Sequence, residues 1–405
     1  MFDIAIVGGG MVGASLAVAL EGLGVRTALI EAIPHDSTSQ PSFDERTTAL
    51  SNGSRRILET LGVWPAVASA ATPIAKIHVS DQGHFGFARI DAAEQGLAAM
   101  GYVVPNRSLG SALWSLLDGS QCARIFCPAQ VRRVTADAEA VELDVAEGGR
   151  ETTIKARLVV AADGVQSAIR GAFGVEAQVR DYEQTAVITT VLPQRFHDYV
   201  AYERFTDSGP LALLPLSDGR CTLVLTLGVA MAESAMAWSD EEFLAEVQRR
   251  FGFRLGRFLK VGRRVPYPLS LSRSNRTSAG RCVIVGNAAQ GLHPVAGMGF
   301  NLGLRDVASL AELVAEHRSA GHADLGDASL LDSYDAWRAR DRSGIIAFTD
   351  GLVRIFSSPL GAVQRLRNVG LLAFDMLPPA KAALSRLSTG AAGRVPKLAR
   401  GVALR

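Results

Sequence analysis

The fold of this chain is decided by residues 3–31, DIAIVGGGMVGASLAVALEGLGVRTALIE, where an apolar strand runs straight into a glycine-rich turn. The pattern predicts a helix after the turn and a second strand that ends at Glu31. Gly8 allows the tight turn, Gly10 lets a pyrophosphate approach the backbone, and Gly13 lets helix and strand pack closely. A strand–helix–strand unit with an acid about twenty residues further on predicts a dinucleotide site, with Glu31 accepting hydrogen bonds from a ribose.

This fingerprint leaves two alternatives open. A glycine-rich turn can occur without a ligand, and the motif by itself does not distinguish FAD from NAD. The sequence contains no second G-x-G-x-x-G, so a nicotinamide nucleotide would have no Rossmann site of its own. We therefore expect such a nucleotide to be a transient visitor.

Composition excludes several classes of protein. The 405 residues are 48% hydrophobic and 20% charged, which predicts a large core divided between two domains. The net charge of +2, without interleaved aromatic and basic residues, argues against nucleic-acid binding. The start lacks a basic signal-peptide region, and no apolar run is long enough to cross a bilayer. The four cysteines form no C-x-x-C pair, so we expect buried thiols, no metal and a cytoplasmic location.

Two further strand-to-helix junctions carry glycines and polar residues. Residues 158–170, LVVAADGVQSAIR, place Asp163 and Gly164 at the end of a strand and Arg170 at the start of a helix. Residues 282–303, CVIVGNAAQGLHPVAGMGFNLG, join a strand to a helix through a loop whose bare backbone can approach a flat ligand. The positive end of that helix suits a flavin ring that gains negative charge on reduction.

Together these motifs resemble those of the aromatic-ring FAD monooxygenases, over nearly the whole chain. The likeness is closest to the ubiquinone-biosynthesis hydroxylases, in the 2-polyprenyl-6-methoxyphenol hydroxylase branch, on residues 79–84, 202–212 and 286–294. It implies an α/β fold with a Rossmann-like FAD-binding domain, a smaller β-sheet substrate domain and a helical C-terminal tail. The implied limits are 1–72, 101–180 and 267–350 for the FAD-binding domain, 73–100 and 181–266 for the substrate domain, and 351–405 for the tail.

The resemblance also assigns cofactor contacts. Arg46 matches an arginine that reaches the flavin, Arg107 opens a helix beside the phosphates, and Val131 borders the adenine through its main chain. Arg170 matches a residue that assists NAD(P)H, although a surface charge is the ordinary alternative for each arginine. The expected FAD contacts are Gly8, Gly10, Val12, Gly13, Glu31, Arg46, Arg107, Val131, Asp163, Gly164, Arg170, Asn287, Pro294, Gly297, Met298, Gly299, Phe300 and Asn301.

Two positions depart from the family pattern. Asn287 stands where an aspartate normally holds the ribityl hydroxyls, which keeps a hydrogen-bonding side chain but loses the charge. Met298 replaces a usual glutamine. We expect FAD binding to survive with altered electrostatics.

The expected catalytic residues are His293, Pro294 and Arg46. The residue before a proline is held extended, so His293 could point towards the substrate and help to remove a phenol proton. The plainer alternative is a loop histidine hydrogen-bonded to main chain. Strands after residue 181 are predicted to form a sheet over the flavin, and the expected substrate pocket is lined by Leu213, Leu214 and Pro215.

The resemblance implies a reaction in which a prenylated phenol binds, NAD(P)H reduces FAD, and dioxygen forms a flavin C4a-hydroperoxide that hydroxylates the ring. The alternatives are a hydroxylase of a small soluble phenol, a flavin oxidase, and a non-catalytic FAD-bound scaffold. Other ubiquinone-biosynthesis proteins are expected as partners.

The C-terminal tail is strongly basic. From Gly351 onward the sequence has nine arginines and lysines and a single acid, Asp375, so the tail carries a net charge of +8. Apolar residues alternate with these bases, a mixture that predicts peripheral contact with an anionic membrane surface. The alternative is a helix that packs on its own domain and exposes a basic face.

Overall fold

The structure is a computed structural model that describes residues 1–34, 37, 46–84, 86–292, 297–356, 381, 386, 389–390 and 393–404, without the side chains of 347–350 and 352–356. His293 and Pro294 lie outside the described residues, as does most of the predicted tail. The strands are β1 (Phe2–Val7), β2 (Thr27–Ile30), β3 (Thr47–Ser51), β4 (Thr72–Ile74), β5 (Lys76–Asp81), β6 (Phe87–Asp91), β7 (Gly101–Pro105), β8 (Ala123–Phe126), β9 (Ala129–Ala136), β10 (Val141–Glu147), β11 (Arg150–Ala161), β12 (Ala177–Pro193), β13 (Val200–Thr206), β14 (Gly209–Pro215), β15 (Cys221–Gly228), β16 (Phe258–Val261), β17 (Val265–Ser274), β18 (Ser278–Ala279), β19 (Cys282–Ile284) and β20 (Gln290–Gly291). The helices are α1 (Met11–Glu21), α2 (Asn52–Thr60), α3 (Trp64–Val67), α4 (Asn106–Asp118), α5 (Ala168–Ala172), α6 (Val229–Ala237), α7 (Asp240–Phe251), α8 (Met298–Ser319) and α9 (Ala328–Phe356).

The first sheet has a parallel centre, in the order β19-β11-β1-β2-β8. Its strands are continuous apolar runs because both faces are buried. On one face Ile4 and Ile6 pack with α1, α4 and α8. On the other face Ala5 and Val159 pack with the antiparallel strands β9 and β10. The α/β class predicted from the fingerprint is confirmed.

The second sheet is mainly antiparallel, in the order β20-β17-β12-β15-β14-β13-β5-β6, with β16 beside β12. The predicted hairpin between residues 211 and 225 is present, because β14 pairs with β15 around a tight turn. Helices α6 and α7 cover one face of this sheet. β12 crosses residue 180 and β17 crosses residue 266 without a break, and the domain limits given above stay a prediction.

A small third sheet, β3-β7-β4, lies between the two large ones. It joins the FAD-binding side to the second sheet through a hydrogen bond of 2.9 Å between the hydroxyls of Thr47 and Thr222. Ala49 of β3 packs in one apolar cluster with Leu214 of β14. The two sheets are therefore coupled beside the start of α8.

The last described segment, residues 393–404, packs against α2, α8 and α9. Leu398 and Ala399 are buried in the main core, and the Arg394 guanidinium lies 3.6 Å from the centre of the Trp337 ring. Lys397 Nζ lies 3.3 Å from a carboxylate oxygen of Glu316. Residues 393–404 of the tail therefore pack on the protein itself, which is the alternative to membrane contact that the sequence leaves open.

None of the helices in the described ranges combines the length and the apolar character needed to cross a bilayer. All four cysteines are free thiols.

Candidate functional site

The loop after β1 makes the tight turn that its glycines predict. Gly8 has a φ of +104°, and a Cβ there would collide with the carbonyl of Ala162. A Cβ on Gly13 would collide with the carbonyl oxygen of Gly8, so a side chain at either position would push the turn apart. Gly10 is the N-cap of α1, whose first turn contains no acid, so the positive end of the helix dipole lies at this glycine-rich turn and suits an anion.

Glu31 follows β2 and is buried beside this loop. Its carboxylate accepts hydrogen bonds from the backbone N–H of Gly9, at 2.5 Å, and of Ile33, at 2.8 Å. Each carboxylate oxygen can accept a further hydrogen bond, as a ribose hydroxyl would require. Gly9, which the sequence reasoning did not single out, must lack a side chain because a Cβ would lie 2.9 Å from Cβ of Glu31.

The second motif directly abuts the first. Asp163 accepts hydrogen bonds from the Ser167 hydroxyl and from the Ile169 N–H, so it stabilises the start of α5. Gly164 has a φ of +88° and shapes the turn between them. Since Gly8 leaves no room between itself and the main chain at Ala162 and Asp163, the two strand ends meet at one edge of the sheet.

Arg170 ties the second motif to the third. Its Nη1 donates to the carbonyl oxygens of Val165, at 3.0 Å, and of Ala288, at 2.7 Å. This half-buried guanidinium is therefore not a free surface charge. Its contacts position the loop that begins at Gly286, and a role towards NAD(P)H stays a prediction.

Val12 links the first and third motifs. Its methyl groups face Gly286 and Gly303, and a Cβ on Gly303 would lie 2.8 Å from one of them. The three predicted motifs therefore touch one another, although they lie far apart in the sequence.

Helix α8 begins at Met298, after Gly297 in the left-handed region with a φ of +60°. A Cβ on Gly297 would lie 3.0 Å from that of Ala49, so β3 and the helix start are in close contact. Asn301 fixes this contact, because its amide accepts from the Ser51 N–H at 2.7 Å and donates to the carbonyl of Ala49 at 2.8 Å. The buried side chain of Asn301 thus holds the loop, and any FAD contact made by its main chain stays a prediction.

The remaining predicted cofactor residues surround this centre. Arg46 precedes β3, and its guanidinium lies 5.7 Å from the centre of the Tyr267 ring. Arg107 is exposed in the first turn of α4, as predicted, and Val131 lies in β9. Asn287 is exposed in a short turn after β19, and Met298 is buried while Gly299 and Phe300 are half-buried.

A buried charge network behind the loop was not predicted. Asp306 of α8 is fully buried and accepts hydrogen bonds from the Gly286 N–H at 2.9 Å, the Gln290 amide at 2.7 Å and Arg338 Nε at 2.7 Å. Arg338 of α9 is also fully buried and pairs with Asp341 at 2.6 Å. Charged residues are rarely buried without a partner, but both helices carry many charges, and the sequence does not show which of them are buried together.

The face of the second sheet that α6 and α7 do not cover looks towards β3. Leu214 packs on this face with Val103 and Ala49. Leu213 points the opposite way, into the core under α6 and α7, and Pro215 shares its side of the strand. Of the three predicted pocket residues, Leu214 alone therefore lies on the uncovered face, beside Thr222.

Strand alternation places the carboxylate of Glu203 on this face, together with that of Asp81 at the end of β5. Glu203 pairs in register with Val79 and Ala212, two residues along the strand from Ala201, which packs with Leu214. The side chain is half-buried, and desolvation raises its pKa to about 7. The sequence alone does not single out Glu203, because alternation along a strand separates two faces without showing which one is functional.

Among the residues that the structure describes, no group of His, Cys, Asp and Glu side chains is arranged to hold a metal ion. The site offers two helix N-termini, the buried carboxylate of Glu31 and glycines that allow close approach to the main chain. These features fit FAD, and together with the fold they define a dinucleotide-binding flavoprotein site.

Comparison with known proteins agrees. A family model described as an FAD binding domain matches residues 1–349. The ubiquinone hydroxylase UbiL of Rhodospirillum rubrum is 38% identical over 99% of this chain and 93% of its own length. The 3-demethoxyubiquinol 3-hydroxylase of Escherichia coli is 32% identical over 92% of this chain and 94% of its own length. The chain belongs to the FAD-dependent hydroxylase family of ubiquinone biosynthesis.

Solved structures share the fold. The p-nitrophenol 4-monooxygenase of Pseudomonas putida superposes with a TM-score of 0.77 at 20% identity, over 96% of each chain. At this identity the likeness establishes the fold alone.

Proposed function

We propose that this protein hydroxylates the aromatic ring of a polyprenylated phenol, of the 2-polyprenyl-6-methoxyphenol type, in ubiquinone biosynthesis. NAD(P)H and dioxygen are the proposed co-substrates. The observation that carries the proposal is the mutual contact of the three motifs next to a sheet face that bears apolar side chains and the carboxylate of Glu203. The names of the similar ubiquinone hydroxylases support the substrate class.

In this proposal one carboxylate and two helix N-termini would hold the FAD. Glu31 receives the ribose, the N-terminus of α1 receives the pyrophosphate, and the start of α8 lies at the flavin ring. Reduced FAD supplies the activated oxygen. The chain itself positions the cofactor, excludes water and handles the phenol proton.

We assign the phenol proton to Glu203. A phenolate is a better nucleophile than a phenol, so a base that accepts the proton speeds attack on an electrophilic oxygen. A carboxylate with a pKa of about 7 is suited to proton transfer near neutral pH. His293 stays an alternative proton acceptor and lies outside the described residues.

The apolar character of the same face supports a substrate with a hydrocarbon tail. Three neighbouring apolar side chains on this face are half-buried, which leaves part of each accessible to a ligand: Ile188, Val224 and Leu214. Each buried methylene of a tail should contribute about 0.8 kcal/mol to binding, a factor of about four. A small soluble phenol would bury only its ring against this face and would gain nothing from a tail.

Single turnover tests the proposal. Reduced protein is mixed with oxygen and prenylated phenols of increasing chain length, and the hydroxylated product is quantified. We expect stoichiometric product and a Kd that falls with each added methylene. Hydrogen peroxide as the only product would refute the hydroxylase, and a Kd independent of chain length would favour a small soluble substrate. A flavin that NAD(P)H never reduces would favour the scaffold.

We further propose a cytoplasmic protein that contacts the membrane surface peripherally and works beside other ubiquinone-biosynthesis proteins. The basic tail supports membrane contact, although residues 393–404 are packed on the protein.

A further inference from the structure

One end of the second sheet exposes large apolar side chains. Phe196 is 48% exposed, Tyr199 37%, Phe253 67% and Leu259 53%. They come from the β12–β13 connection, the α7–β16 connection and the edge strand β16. Exposed aromatic residues are costly in water unless they meet a partner, so this end of the sheet needs an explanation.

Main-chain hydrogen bonds hold these segments together. Gln194 donates to the carbonyl of Arg257 at 2.8 Å, and Arg195 donates to that of Leu255 at 2.9 Å. The Phe196 ring packs edge-on against Tyr199, with centroids 5.5 Å apart, and lies against Gly219 in the β14–β15 turn. We call residues 194–199, 218–220 and 253–263 the basic aromatic tip.

The tip is strongly cationic. Its only acids are Asp198 and Asp218, and Asp218 pairs with Arg220 at 2.6 Å. The tip therefore carries six bases and two acids, a net charge of +4, whereas the whole chain carries only +2. All six bases are exposed: Arg195, Arg220, Arg254, Arg257, Lys260 and Arg263.

We propose that the basic aromatic tip docks on an anionic phospholipid bilayer. Aromatic and leucine side chains partition into the lipid interface, while arginine and lysine bind the phosphates around them. A protein partner fits less well, because it would need an acidic group opposite each base, whereas an anionic bilayer presents phosphates around every apolar side chain that inserts.

The tip also adjoins the proposed substrate face. His197 is buried beneath it and bonds the carbonyl of Leu216 at 2.9 Å. Leu216 and Leu214 pack in one cluster with Ala49, so apolar contacts continue from the tip to the start of α8. Docking here would bring a membrane-dissolved substrate to that face, and this part of the inference rests on the proposed function.

The test is sedimentation of the full-length FAD-bound protein with vesicles of phosphatidylcholine containing phosphatidylglycerol. We expect binding to these vesicles, weaker binding in high salt, and little binding to pure phosphatidylcholine. The double variant Arg254→Gln/Lys260→Gln should bind roughly 30-fold more weakly, since each base near an anionic surface is worth about a factor of five. Phe253→Ala should also weaken binding.

The matched control is Arg132→Gln/Arg133→Gln, which removes the same charge from two exposed positions of β9. An equal loss in both double variants, or none in the tip variant, would overturn the proposal and leave the C-terminal tail as the lipid contact. Failure of vesicle binding, with self-association lost in the tip variant, would assign the tip to a protein partner. Turnover of a short-chain soluble phenol should be unchanged in the tip variants, so docking and the hydroxylase can fail separately.

Discussion

Replacing Glu203 by glutamine should change how stability depends on pH. In the folded protein the pKa of Glu203 is about 7, against an ordinary value of 4.5. Because the folded pKa is the higher one, the unfolded chain releases this proton first. Wild-type stability from this group is complete below pH 4.5 and is lost as the pH rises through 7.

The size of the effect follows from the same shift. The difference between the two pKa values corresponds to at most about 3 kcal/mol, and solvent at the half-buried side chain reduces this to about 1–2 kcal/mol. Glutamine keeps the shape and cannot ionise. The free energy of unfolding of Glu203→Gln should therefore exceed that of the wild type at pH 8 by this amount, and match it near pH 4.5.

Urea denaturation of both proteins between pH 5 and pH 8 measures the difference. Glu151→Gln, at an exposed position of β11, is the control and should show no such trend. A difference between Glu203→Gln and wild type that is flat over this range, or that falls, would refute the reasoning. In turnover, the variant should retain FAD while the limb of the kcat/KM profile near pH 7 disappears.

Other predictions rest on the FAD-binding side. Gly13→Ala should yield a colourless protein, because its Cβ collides with the main chain of the turn. Gly22→Ala, whose Cβ would lie 3.8 Å from its nearest neighbour, should bind flavin normally. The visible flavin absorbance of the two purified variants measures the difference. Asp306→Asn should cost about 2–4 kcal/mol in urea denaturation and weaken FAD binding, since Arg338 loses a buried partner, and the exposed Asp332→Asn should cost nothing measurable. Deleting residues 393–405 should lower the melting midpoint by roughly 5 °C or more, and an unchanged midpoint would contradict the packing of this segment.

The sequence was informative where function depends on neighbouring residues. Gly8, Gly13 and Glu31 belong to one continuous unit, so spacing was enough to place them at one turn. The second and third motifs were equally local, and the structure adds the contacts that bring them together through Val12 and Arg170.

The features that sequence reasoning missed depend on distant partners. Asp306 and Arg338 meet only because α8 and α9 pack side by side, and the residues next to either one in the sequence do not predict the pair. The sequence predicts both Leu213 and Leu214 in the pocket, and alternation along β14 places them on opposite faces of the sheet. Which face is which depends on the helices that follow the sheet.

The packing of residues 393–404 has a consequence for biosynthesis of the protein. These residues are synthesised after α2 and α8, yet they complete the core around these two helices, which Ser51 and Asn301 join. A nascent chain must therefore wait for residues 393–404 before this region is fully covered. We expect chains that terminate before residue 393 to be recognised by chaperones and proteases.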